Sequence, residues 1–138
     1  VGMADPQALV VASAAAQAAE RVGMPEAQIV LAQAAVYVAS APKSNSVVRA
    51  IGEAMEAVRS ERTMPVPVHL QDKHYKGAEK LGRGAGYRYP HDYPNHYVKQ
   101  QYLPYELNGT EFYKPTGNGY EAKIREHMQR IRREAETV

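Results

Sequence analysis

The sequence of 138 residues has no cysteine, no tryptophan and one phenylalanine. Without cysteine there is no disulfide framework, no Cys-zinc site and no thiol nucleophile. No run of apolar residues approaches the length needed to span a membrane. No charged leader precedes an apolar segment and a cleavage site, so no signal peptide is expected and the chain reads as a piece of an intracellular protein. Enzyme signatures are missing as well. There is no G-x-S-x-G elbow, and the five serines lie in the first 60 residues with no evident base. The stretch "GAEKLGRG", residues 77–84, has the glycines of a phosphate loop but lacks its Lys-Ser/Thr pair. The expectation is a chain without catalytic residues, metal site or cofactor of its own.

What is present divides into two styles. Residues 1–62 hold 17 of the 21 alanines and carry five Lys/Arg against six Asp/Glu. Residues 63–138 carry twelve against nine, with all five histidines and nine of the ten tyrosines. At this length one compact domain is expected, divided into an Ala-rich three-helix part (1–62), a Pro/Tyr-rich strap with a short basic helix (63–117) and an amphipathic C-terminal helix (118–136).

Local signals place the helices. Asp5 and Pro6 suit the start of a helix over 7–22, and Gly23 suits its end. Pro25 and Glu26 open a second over 25–40, which Pro42 stops. Ser44 or Ser46 caps a third, whose apolar stripe is Val47, Val48, Ile51, Met55 and Val58, leaving Arg49, Glu53, Glu56 and Arg59 for water. The first two helices are Ala or apolar on nearly every face and therefore want neighbours on several sides, from this chain or from another copy. Leu9, Val10, Ile29, Leu31 and Val36 are the residues expected to divide between core and subunit interface.

In the second half, Pro65 and Pro67 impose an extended strap. Asp72 is placed to cap a short helix over 73–81, closed by Gly82. Prolines at 90, 94, 104 and 115 leave room for no more than a turn or two around Tyr97–Tyr102. Asn118 and Glu121 form an N-x-x-E box before the last helix. Its stripe is Tyr120, Ile124, Met128, Ile131 and Ala135, with Glu121–Arg125 and Glu126–Arg130 as i,i+4 pairs. No segment reads as strand, so the fold class is all-α with about five helices.

The segment "GYRYPHDYPNHY", residues 86–97, concentrates chemistry. His91, Asp92 and His96 are metal-ligand types, with no recognised metal spacing. His and Asp beside proline more commonly hydrogen-bond an irregular backbone, which makes Tyr89, His91, Asp92, Tyr93, His96 and Tyr97 a structural strap. The rival is DNA contact. Lys73, Lys76, Lys80 and Arg83 are spaced along one helix face, Arg88 follows, and cations interleaved with tyrosines suit single-strand binding.

Taken in order, "MADPQAL", "GMPEAQIVLAQAAVYVASAPKSNS", "PVPVHLQD", "YKGAEKLGRGAGYRYPHDYPNHYVKQQYLP" and "FYKPTGNGYEAKIRE" resemble the C-terminal region of the RarA/MgsA family. These are AAA+ ATPases of replication-associated recombination, with eukaryotic relatives that include the Werner-helicase-interacting protein. The resemblance runs from about Gly2 to Arg132. It implies a clamp-loader-collar-like oligomerisation domain, self-association into a homotetramer, and a parent protein that binds ATP and Mg through motifs upstream. It further implies action on stalled forks and DNA ends in the bacterial cytoplasm, with links to single-strand binding protein and other replication proteins. No catalytic residue is carried over to this region.

Overall fold

A computed structural model of the chain describes residues 1–60, 65–72, 74 and 79–136. Four α-helices carry it: α1 (Gln7–Val22), α2 (Ala27–Ser40), α3 (Ser46–Ser60) and α4 (Glu121–Glu136). Short 3-10 turns fill the connections, and no strand occurs among the described residues. The fold is all-α.

Two compact units divide the chain: Val1–Glu53 with Phe112–His127, and Ala54–Glu111 with Met128–Val138. The boundary therefore falls within α3 and within α4.

The first unit is built on the α1–α2 pair. Asp5 Oδ1 accepts the Gln7 N–H at 3.0 Å, satisfying an orphan donor at the helix start. Gly23 ends α1 at φ 77°, with its N–H on the Ala19 carbonyl. The buried apolar residues of α1 and α2 are all alanine: Ala8, Ala15, Ala27 and Ala34. Each pair is seven residues apart, two turns on one face, and the absence of larger side chains lets the backbones approach closely. Lys43 donates to the Val38 and Ala39 carbonyls and closes the end of α2.

The helices α3 and α4 differ from expectation in instructive ways. On α3 the apolar stripe is turned outward: Val47, Val48, Ile51, Met55 and Val58 are 43–70% exposed. The packed face holds the small residues Ser46, Ala50, Ala54 and Ala57 instead. The physical reason lies at Ser46, whose hydroxyl is committed to a buried carboxylate and so fixes which face of the helix turns in. On α4, Ile124, Met128, Ile131 and Ala135 are half-buried as the stripe predicts, whereas Tyr120 is 49% exposed. The N-x-x-E box does not form. Asn118 Nδ2 donates to the Lys43 carbonyl and Glu121 is wholly buried among other partners, which also removes the expected Glu121–Arg125 pair.

In the second unit the strap is irregular, as its prolines require. One-turn 3-10 segments lie at Pro90–Asp92, Pro94–His96 and Tyr105–Leu107, each beginning at or just after a proline. The turn expected around Tyr97–Tyr102 is absent. That stretch has neither helix nor turn: Val98 is buried at 3% exposure, and Gln100 and Gln101 are engaged by neighbouring segments. The predicted helix over 73–81 falls largely on Lys73 and residues 75–78, outside the described residues. At its flanks Asp72 Oδ1 accepts the His74 N–H at 2.9 Å, and Glu79–Leu81 forms a 3-10 turn.

Candidate functional site

The apolar surface comes first, because the fully buried residues of α1 and α2 are alanines. All five residues expected to divide between core and interface lie on the outside of this chain. Leu9, Val10, Ile29, Leu31 and Val36 are 45–78% exposed, so none of them is core. Met24 and Val22 are exposed beside them, and the outward stripe of α3 adds five more large apolar side chains. Charge is scarce here: α1 carries Glu20 and Arg21, and α2 carries none.

A buried carboxylate anchors the same unit. Glu121 Oε1 accepts hydrogen bonds from the Ser46 and Tyr113 hydroxyls, the latter at 2.9 Å. Its Oε2 accepts the Thr116 hydroxyl at 2.6 Å and the Thr116 N–H at 2.9 Å. Burial pushes the carboxyl up, but the hydrogen bonds from Ser46, Thr116 and Ser44 outweigh it and hold the group at about 2. The carboxylate also lies at the first residues of both α3 and α4, where helix dipoles favour negative charge. Burial, followed by the bond to Glu121, pushes the Tyr113 hydroxyl up from 10.0. The donors of Ser44, Ser46, Tyr113 and Thr116 together satisfy the charge. Sequence reading missed this role, and the available signal was an acid between "PTGNGY" and an amphipathic helix.

The strap residues hold each other. The Arg88 guanidinium lies 4.7 Å from the Tyr93 ring centroid, and its Nε donates to the Tyr93 hydroxyl at 3.0 Å. Gln100 pairs with Arg88 in both directions: its Oε1 accepts the Arg88 N–H at 3.1 Å, and its Nε2 donates to the Arg88 carbonyl at 2.8 Å. Tyr89, His91 and His96 form a ladder of rings, with successive centroids 5.1 and 4.7 Å apart. The ladder occupies His91 and His96 with each other, and no metal-holding group of three His, Asp or Glu is found among the described residues. Asp92 is exposed, while Tyr93 and Tyr97 are half-buried.

Lys73 and Lys76 lie outside the described residues. Lys80 is exposed, Arg83 is half-buried, and Arg88 is exposed but engaged with Tyr93 and the Lys99 carbonyl.

An all-α chain with a helical hairpin poor in charge and a proline-punctuated tyrosine strap defines a helical domain, and comparison with known proteins gives its family. The family model described as "MgsA AAA+ ATPase C terminal" matches residues 1–132, and the chain belongs to that family. It is 48% identical over 132 residues to an AAA domain-containing protein of Mycobacterium tuberculosis, covering 96% of this chain and 29% of that protein. It is 46% identical over 132 residues to replication-associated recombination protein A of Bacillus subtilis, covering 95% of this chain and 31% of that protein. The ATPase WRNIP1 of Dictyostelium discoideum is 38% identical over 115 residues, 83% of this chain and 13% of that protein. The chain thus spans less than a third of the length of each of these relatives. Among the described residues no helix is long and apolar enough to cross a membrane.

Proposed function

We propose that the chain is the assembly module of an AAA+ ATPase of replication-associated recombination: a non-catalytic domain through which copies join as a homotetramer. On this reading ATP and Mg are bound by the remainder of the longer protein, which acts at stalled forks and DNA ends in the bacterial cytoplasm, alongside single-strand binding protein.

One observation carries the reading. Three successive helices present large apolar side chains to solvent while burying only small ones, the reverse of what a self-sufficient monomer does. The occupant that suits this surface is a second copy. The α1 and α2 faces carry little charge and are best covered by a surface equally poor in charge, and an isologous contact provides that surface from the same residues.

Light scattering across a dilution series tests it. A stable mass of four chains of 15.3 kDa is expected. Val36→Glu would bury an unpaired charge at the contact and is expected to split the assembly, at a cost of about 3–5 kcal/mol. Because Val36 is 68% exposed in the single chain, helicity should survive. A parent chain that is monomeric at every concentration overturns the reading.

A further inference from the structure

We propose that Asn108 is a site of self-modification: in the folded chain its side-chain amide converts to the carboxylate of aspartate and isoaspartate, while the other Asn-Gly pair, Asn118-Gly119, is protected by its surroundings. This goes beyond the assembly reading and does not depend on it.

The reaction needs only water. The Gly109 backbone nitrogen attacks Cγ of Asn108, and a C–N bond forms to close a succinimide ring. The Cγ–Nδ2 bond breaks, and ammonia leaves with the proton of the Gly109 N–H. Water then opens the ring at either carbonyl, giving aspartate or isoaspartate. No oxidant or reductant takes part. A glycine after the asparagine suits the attack, because no side chain screens its nitrogen.

The surroundings of the two pairs differ. Asn108 and Gly109 are both exposed, directly after the 3-10 turn Tyr105–Leu107. Among the described residues no hydrogen bond holds the Asn108 side chain or the Gly109 N–H. A side chain at Gly109 would meet open space, so this peptide has room to turn towards the amide. At the second pair, Asn118 Nδ2 donates to the Lys43 carbonyl at 3.1 Å. The Gly119 backbone is packed so closely that a Cβ there would collide with the Ala4 carbonyl and the Pro42 ring. The Tyr120 N–H, on the far side of Gly119, donates to the same Ala4 carbonyl at 2.7 Å. The other two asparagines are restrained as well. Asn95 Nδ2 donates to Glu134 at 2.6 Å, and the nitrogen following Asn45 is committed to the Ser44 hydroxyl at 3.1 Å.

The product changes the charge of its surroundings. Asn108 lines a cleft of about 430 Å³ together with Lys99, Glu111, Arg132 and Glu136. These four charges pair off, Arg132 with Glu111 at 2.7 Å and Lys99 with Glu136 at 3.8 Å. A carboxylate at position 108 makes acids the majority there. Isoaspartate also lengthens the main chain within the turn that the Thr110 N–H closes on the Leu107 carbonyl at 3.0 Å.

The test holds this chain at mildly alkaline pH and follows both Asn-Gly pairs by peptide mass mapping. Isoaspartate is read separately, by methyl transfer from S-adenosylmethionine with an isoaspartyl methyltransferase as the probe. In the folded chain Asn108 should convert at least about tenfold faster than Asn118, which must first give up a hydrogen bond. In concentrated urea the surroundings are lost, and the two pairs should convert within about twofold of each other. Asn108→Gln should remove the methylatable product from the folded chain with circular dichroism unchanged. Folded-state rates within about twofold, a difference that persists in urea, or no conversion of Asn108 in the folded chain overturns the proposal.

Discussion

The two compact units solve the same problem by opposite means. The first unit holds Ala4, Ala8, Ala15, Ala27 and Ala34, together with buried Ser46 and Glu121, whereas among the described residues of the second the buried ones are Pro67 and Val98. Helical ladders satisfy the backbone of the first unit, so its side chains are released for packing and for display. The strap has no ladder. Its side chains bond the backbone in place of one: His69 to the Gln101 carbonyl at 2.7 Å, Gln71 to the Val66 carbonyl at 2.7 Å, and Gln100 to Arg88. Regular backbone frees side chains for function, while irregular backbone consumes their polar ends and leaves mainly ring faces on offer.

Substitutions sharpen this contrast, beginning with the largest effect. Glu121→Ala leaves the Ser46 and Tyr113 hydroxyls and the Thr116 donors without their acceptor and should cost about 3–5 kcal/mol in urea unfolding. Acid acts on the same group. With its carboxyl at about 2 in the folded chain against 4.5 ordinarily, Glu121 contributes stability that is complete above pH 4.5 and lost as pH falls towards 2. Glu121→Gln should flatten that part of a stability-versus-pH curve. Next, Ala15→Leu overfills the close contact of α1 with α2 and should cost about 1–3 kcal/mol, read as a lower midpoint in thermal melts. Smallest is Gln100→Ala in the strap, expected at about 0.5–1.5 kcal/mol because its bonds are exposed and water replaces them. If Gln100→Ala proved as damaging as Glu121→Ala, the difference drawn between the units would collapse.

Legibility in the sequence followed the same divide. The limits of α1 were readable because Asp5, Pro6 and Gly23 each act through their own backbone, and the stripe of α4 was readable because Ile124, Met128 and Ile131 are large. The buried side of α3 was not, since periodicity reports where apolar residues lie and not which face turns inward. Ser46 decided that, through a partner 75 residues away. Glu121 was spelled like a capping box, and local spelling is identical whether such a carboxylate turns back to its own helix or across to another. At Tyr97–Tyr102 the sequence permitted a turn, but none forms, and Val98 is buried within an irregular stretch. The five exposed residues from Leu9 to Val36 were legible as apolar and not as core or surface, because burial centred on alanines leaves little trace in hydrophobic period.

The bond between Ser46 and Glu121 also sets an order of events. The first unit draws on residues 1–53 and 112–127, so during synthesis its opening helices emerge well before the acid that fixes α3. Until Glu121 arrives, Ser46 has no buried partner and α3 has no enforced face, while α1 and α2 pair through contacts close in sequence. The helical hairpin needs only contacts close in sequence, whereas the clasp at Ser46 cannot close before residue 121 is made and carries the entropy cost of a long loop.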